Sequence, residues 1–270
     1  MSTAVEIAES RPSSAMYAGR PQVLLERGWL AFKSSTWVPI FTGFVEPVLF
    51  LLAFGYGMGN LVGNIKTGGA TIDYTAFIAP GLLATSAMNG AIYDSTWNVF
   101  WKLNESKLYK TMLSTPLGPM DIALGEITWA LLRGLVYSIG FLTVVTALGL
   151  TPSPWAILAI PAASLVAFGF ASFGMAVTSF FKTYQQMGFI NVVLLPMNLF
   201  SGSLYPISVY PDWLQNLIMA LPLWHGISLV RAFWFGDINS GVLVHIGYFL
   251  IMIATGLFVT SRRLRALFLR

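Results

Sequence analysis

Residues able to do chemistry are sparse in this chain, and their spacing argues against most of the chemistry they suggest. The six lysines follow Phe32, Ile65, Trp101, Ser106, Tyr109 and Phe181. None follows the glycine that a phosphate-cradling G-x-x-x-x-G-K-[ST] loop requires, so the chain does not bind ATP in that manner. His225 and His245 stand twenty residues apart with no acid at metal-binding spacing beside either. Each is expected to act as a hydrogen-bonding group, not as a ligand. GFASFG, Gly169 to Gly174, comes nearest to a nucleophile elbow, but its first glycine is displaced by one position and it lies in an apolar run. Small residues for helix packing explain it better. Cysteine is absent, which removes thiolate ligands, thiol nucleophiles and disulfides. No catalytic residue, metal site or cofactor is expected on this chain.

The elements that hold these residues are set by composition. Hydrophobic residues make up 56% and charged residues 10% of the chain, and mean hydropathy is +0.71. That is the composition of a membrane protein. Five apolar blocks reach the ~20 residues that a helix needs to cross a bilayer: about Trp37 to Val62, Tyr74 to Phe100, Ile122 to Leu150, Trp155 to Phe181 and Gly241 to Thr260. A sixth, Met187 to Leu204, lies at the short end of that range. The first 36 residues carry Glu6 and Glu9 without a continuous apolar core, so they do not read as a cleaved signal.

Of the fifteen basic residues, twelve fall before the first span, after the second and fourth, or after the last; Lys66, Arg133 and Arg231 lie elsewhere. Lysine and arginine are retained on the cytoplasmic side, which puts both termini inside; the plasma (inner) membrane is the expected location. The positive balance reflects orientation and anionic headgroups and gives no reason to invoke nucleic acid. PQVLLERGWLAFKSSTW, with Leu25, Trp29 and Phe32 at helical spacing, reads as an interfacial helix on the inner leaflet, the alternative being an irregular anchor. Gly55, Gly59 and Gly63 stand four apart, which suits either close helix approach or a fraying helix end. Thr151 to Pro154 is a tight external turn. Before the last span, Asp212 to Leu221 and Leu223 to Phe235 are each too short to cross and are expected to dip into the outer leaflet as two helices. The expected fold is an all-α integral membrane protein of six spans. An N-terminal segment 1–36 precedes a transmembrane domain over 37–260, with external helices about 211–236 and a basic tail over 261–270.

Ionisable groups within the spans are Glu46, Asp94, Glu126 and Arg133, and charge inside a bilayer marks a pathway or a pairing. One reading puts Asp94 and Glu126 near the inner headgroups and pairs Arg133 with an acid on a neighbouring helix; the other gives them a substrate or proton role. The first reading leaves Glu46, well inside its span, as the functional acid. Tyr205, Tyr210, Trp213, Trp224, Phe233 and Trp234 suit an interfacial belt or stacking on a departing cargo. The translocation-path candidates are Glu46, Asp94, Arg133, Tyr205 and Trp213.

The stretch FWKLNESKLYKTMLSTPLGPMD, Phe100 to Asp121, interrupts the apolar pattern with three lysines and two acids. At 100° per residue, Leu108, Tyr109, Met112 and Leu113 fall on one arc with Glu105 inside it, while Asn104, Lys107, Lys110, Thr111 and Ser114 fall opposite. Thr115 and Pro116 end the helix. An acid within the apolar arc suits a protein groove better than lipid.

With MLSTP followed by a span opening IALGE, this stretch resembles the type-two permease family of ABC transporters, most closely in pattern its nodulation-factor and daunorubicin-resistance exporter permeases. EPVLFLLAFGYGMG, FIAPGLLATSAM, FSGSLYPISVYPDWLQ and LPLWHGISLVRAFWFG extend the resemblance along nearly the whole chain. It implies a transport subunit with six helices that pairs with a second permease copy, identical or related, and docks on two ATP-binding subunits holding ATP and Mg. It also implies that the helix about 103–115 is the coupling helix, with Glu105, Lys107, Leu108, Tyr109, Met112, Leu113, Thr115 and Pro116 at the ATPase interface. Cargo in such a family is polysaccharide, glycolipid, lipid or hydrophobic drug. Asn104 replaces the family's basic residue before the glutamate, and Ser106 or Lys107 its following glycine.

An ion-gradient-driven secondary carrier is the competing class. It requires a midplane ion site, commonly at broken helices of repeated halves, and the sequence shows neither a repeat nor an acid cluster. A membrane-bound enzyme requires converging ionisable residues, for which only Glu46 and His225 are available.

Overall fold

The computed structural model describes residues 17–33, 38–67 and 70–268. Most of the N-terminal segment, the loop glycines Gly68 and Gly69, and Arg270 of the tail lie outside the described residues. Helix α1 (Gln22–Lys33) leads to α2 (Val38–Val62). A β-hairpin, β1 (Asn64–Thr67) and β2 (Ala70–Asp73), follows; it is antiparallel with Ile65 opposite Ile72 and was not expected from the apolar pattern. Helix α3 (Tyr74–Tyr93) starts where the Asp73 carboxylate accepts the Thr75 N–H at 2.9 Å, an ordinary N-cap. It continues through two π-helical turns, Asp94–Asn98 and Trp101–Glu105.

A short helix α4 (Leu108–Leu113) comes next, and then α5 (Pro119–Ala147), α6 (Ala159–Thr178), α7 (Gly188–Phe200), α8 (Asp212–Met219), α9 (Pro222–Phe235) and α10 (Gly241–Phe268). Proline opens α5 and α9 at first-turn positions, where its missing N–H costs nothing.

Five helical stretches among the described residues are long and apolar enough to cross a membrane: Val45–Val62, Tyr74–Glu105, Pro119–Ala147, Pro154–Thr178 and Gly241–Leu267. Helices α8 and α9 meet at an 82° bend, the broken pair expected before the last span. The block Met187 to Leu204 falls short of its expectation. Its helix α7 has 13 residues, about 20 Å at 1.5 Å per residue, against a ~30 Å hydrocarbon core. The chain leaves the helix at Ser201, and Gly202 takes φ +80, which favours glycine.

Helix α6 packs against α3, α5, α9 and α10. Small residues make that possible. A Cβ on Gly169 would lie 2.5 Å from Phe249 Cδ1, and one on Gly256 would lie 2.6 Å from the Ser172 backbone. The GFASFG run is therefore a packing surface, as expected where lipid is as apolar as leucine and close contact drives association. The glycine series of α2 divides between its two readings. A Cβ on Gly55 would lie 2.5 Å from Thr75 Cγ2, whereas Gly63, at φ +66, follows the last turn of α2.

The bundle has two distinct ends. Helix α1, α4, the start of α5 and the end of α10 share one, with Arg263 Nε donating to the Ser179 carbonyl at 3.4 Å and its guanidinium lying 4.8 Å from the Phe180 ring. We call this the basic end. At the far end lie the hairpin, the α5–α6 connection, the Ser201–Tyr210 loop and the C-cap of α9, where Gly236 sits against Ser153 and Trp155.

Candidate functional site

Chemistry-bearing residues concentrate at the basic end, around α4. Lys107 precedes this helix with φ 50, a left-handed conformation rare for a residue with a side chain. The bend separates Glu105, at the end of the second π turn, from the helix that was to share its face. The continuous wheel from Glu105 to Ser114 is thereby corrected: 100° per residue holds only in uninterrupted α-helix.

The direction of the apolar arc is corrected too. Tyr109 is 0% exposed and Met112 is buried, with Leu108 and Leu113 half-buried against the protein's own core. A six-residue helix is unstable alone, and the nearest apolar surface that can hold it is its own bundle. Glu105, Lys107, Lys110, Thr111, Ser114, Thr115 and Pro116 are exposed, so the surface left for a partner is polar and basic.

Beneath α4, two ion pairs join the extension of α3 to α5. Lys102 Nζ lies 2.6 Å from Glu126 Oε2, with side chains only 13% and 11% exposed. Arg133 pairs with Asp94 one level deeper. The pairing of Arg133 with an acid on a neighbouring helix is as expected. Glu126 and Arg133, which share a face of α5, each take a partner from α3 and not each other. The Tyr109 phenol is pushed well above its ordinary range, first by burial and then by the Glu126 carboxylate, with Arg27 of α1 acting in the opposite sense. The Glu126 carboxylate is thus shared ground for α3, α4 and α5.

Asp121 is the functional residue of this end that sequence reasoning missed. Fully buried, its carboxylate accepts N–H groups of Ala18 at 2.7 Å, Arg20 at 3.0 Å and Gly118 at 2.8 Å. It ties the segment before α1 to the first turn of α5. The signal was present: an acid three residues after Gly118, with Pro119 between, marks a helix start. Helix α1 then lies along α5, burying Leu24 beside Gly125, and Gly28 sits against Trp129. Leu24 is its inward anchor, and Leu25 is half-buried. Trp29, at 59% exposed, and Leu30 face outward, as an interfacial helix requires; the Phe32 side chain lies outside the described residues.

The remaining path candidates do not converge within one protomer. Glu46 is exposed on α2 next to Pro47, among the exposed Leu49 and Phe50. Tyr205 is half-buried, with its ring 6.2 Å from that of Tyr210, while Trp213 is 69% exposed on α8. The histidines, in contrast, come together. His225 of α9 and His245 of α10 place their Nδ1 atoms 2.7 Å apart, one donating and the other accepting, with Tyr248 stacked on His225. Their separation in sequence hid a contact that the α9–α10 turn creates. Among the described residues no group of three or more His, Cys, Asp or Glu is placed to hold a metal.

A bundle of crossing helices, a broken pair before the last span and a short helix docked on the basic end are matched by a sequence model. The model described as ABC-2 type transporter covers residues 21–235, from α1 to the end of α9. The chain belongs to this family. ABC-2 relatives include nodulation protein J of Rhizobium leguminosarum bv. viciae, 32% identical over 245 residues, 90% of this chain and 93% of that protein. Nodulation protein J of Sinorhizobium fredii is 34% identical over 221 residues, 82% of this chain and 83% of that protein. The probable multidrug ABC transporter permease YbhR of Escherichia coli is 27% identical over 183 residues, 64% of this chain and 47% of that protein. ABC-2 permeases are multi-pass transport subunits that work with ATP-binding subunits. The path candidates and the buried ion pairs all lie within the part of the chain that the ABC-2 model covers.

Proposed function

We propose that this chain is the membrane subunit of an ATP-driven exporter that moves an amphipathic or hydrophobic cargo out of the cell. Two copies dock on two ATP-binding subunits, which hold ATP and Mg. The basic end faces the cytoplasm with both termini, the side on which lysine and arginine are retained. One observation carries the reading: α4 is seated in the bundle by the fully buried Tyr109, just beyond the extension of α3 whose Lys102 pairs with Glu126 of α5. A push on its exposed side therefore displaces the helices that cross the membrane. Lys107, Lys110, Thr111 and Ser114, with Glu105 beside them, offer the ATPase a polar contact. Exposed apolar side chains of α2 and α7, among them Phe50, Tyr56, Phe189 and Val193, supply the surface for a second copy. Two Glu46 carboxylates then face a shared path. Relatives named for nodulation and for multidrug transport support an amphipathic cargo.

Reconstitution with and without the ATP-binding subunit tests the proposal. Transport is expected only with the partner and ATP, and it should persist when ion gradients are collapsed. Transport by the chain alone on an imposed gradient would establish the carrier instead. The double substitution Lys107→Glu, Lys110→Glu should lower cargo-stimulated ATP hydrolysis at least about tenfold, the loss of two favourable interfacial charges, while insertion is unchanged. Normal stimulation in that variant would remove α4 from the interface.

A further inference from the structure

Orientation accounts for twelve of the basic residues, Arg133 is matched by Asp94, and Lys66 belongs to the hairpin. Arg231 has no such explanation. It lies on α9 within two turns of the C-cap Gly236, at the far end, where the proposed orientation disfavours a cation.

Its surroundings neutralise it only in part. One Nη donates to the Gly202 carbonyl at 3.1 Å, and the guanidinium lies 4.2 Å from the Phe77 ring centroid. A carbonyl dipole and an aromatic face each attract a cation, but neither carries a negative charge. Among the described residues Arg231 has no carboxylate partner. Its Nε is buried with no acceptor, and three residues on, the fully buried Trp234 has an Nε1 with no acceptor either. Two unsatisfied donors on one side of α9 are costly, because each has given up water for nothing. Arg231 is half-buried as a residue, with its Nε inside the bundle.

What surrounds this cation suits the other half of an amphiphile. Gly202 holds its carbonyl on Arg231 through a left-handed turn, and three residues later Tyr205 stacks edge-on with Tyr210, which in turn meets Phe200 with ring centroids 5.8 Å apart. Tyr74, one turn before Phe77 on α3, is buried in the same part of the bundle. An acceptor-poor cation beside the Phe77 ring suits an anion attached to an apolar or sugar-like body.

We propose that Arg231 is the recognition point for the anionic group of an amphiphile, a phosphate, sulfate or carboxylate, in the far half of the bundle. The guanidinium presents a planar fork that such groups accept in two hydrogen bonds. Its meaning for transport rests on the exporter reading, whereas the binding itself does not.

The test uses the full chain purified in dodecyl maltoside without any ATP-binding subunit, so it stands whatever becomes of the exporter reading. Dodecyl phosphate is titrated while thermal unfolding is followed, with dodecylphosphocholine as the zwitterionic control of equal length. Dodecyl phosphate is expected to raise Tm saturably, with an apparent Kd at least about tenfold weaker in Arg231→Gln, as loss of a charge-assisted hydrogen bond dictates. Arg231→Lys, which keeps the charge and loses the fork, should fall between. Equal apparent affinity in wild type and Arg231→Gln overturns the proposal. Should Arg231→Gln not fold, the wild type decides: a response that dodecylphosphocholine matches overturns it equally. Nanodiscs of phosphatidylcholine with or without phosphatidylglycerol then identify the source. Competition by phosphatidylglycerol assigns the site to a resident lipid, and its absence assigns it to cargo; both outcomes uphold anion recognition.

Discussion

At the basic end, Lys102 meets Glu126 across α3 and α5, and Arg133 meets Asp94 across the same two helices; at the far end, Arg231 meets a carbonyl and a ring. The difference is one of closure. Charges at the first site cancel in pairs, which fastens α3 to α5 there. The second site leaves a cation in excess. Burial of charge thus serves mechanical linkage in one half of the protein and recognition in the other.

The comparison breaks most sharply at Glu126. Glu126→Gln leaves Lys102 buried without a counter-charge and should destabilise the chain by about 3–5 kcal/mol in denaturant unfolding, with most of the loss recovered in Lys102→Met, Glu126→Leu. Failure of the double substitution to recover stability would mean that the pair does more than cancel charge.

How much of this was legible differs by level. Apolar block lengths located the long spans, the prolines flanking Asp212–Phe235 located the broken pair, and the distribution of lysine and arginine separated the two ends. The wheel found the right four apolar residues of α4, yet not their direction. An amphipathic pattern states that one face must be covered and is silent on what covers it. The π turns have no residue code of their own, so the phase between Glu105 and Tyr109 was lost. The histidine contact and the ion pairs join residues far apart in sequence, and only the packed helices reveal which acid takes which base.

A smaller effect sharpens the same comparison. Arg231→Met removes a cation without orphaning any carboxylate, so its cost should be about 1–2 kcal/mol, that of a hydrogen bond and a cation–π contact. A loss as large as that of Glu126→Gln would reveal a hidden counter-charge and equate the two ends.

The smallest effect concerns pH at Tyr109. Its ionisation is pushed upward from 10.0 in the folded protein by burial and by Glu126. The unfolded chain then releases this proton first as pH rises, so the stabilisation is complete below about pH 10 and declines above it. Tyr109→Phe should flatten the alkaline limb of a stability-against-pH profile. An unchanged limb would show that neither burial nor Glu126 holds the proton on the phenol.

The two π turns of α3 have a consequence for how motion is metered. A π turn holds close to one residue more than the α turn it replaces. Tightening either one to α geometry winds in that surplus, and everything beyond it, Lys102 or Glu105 and then α4, advances by about 1.5 Å and swings by about 100°. Such a helix behaves as a screw with two slack threads. Any such step has first to break the Lys102–Glu126 pair, so that pair is what holds the slack in place.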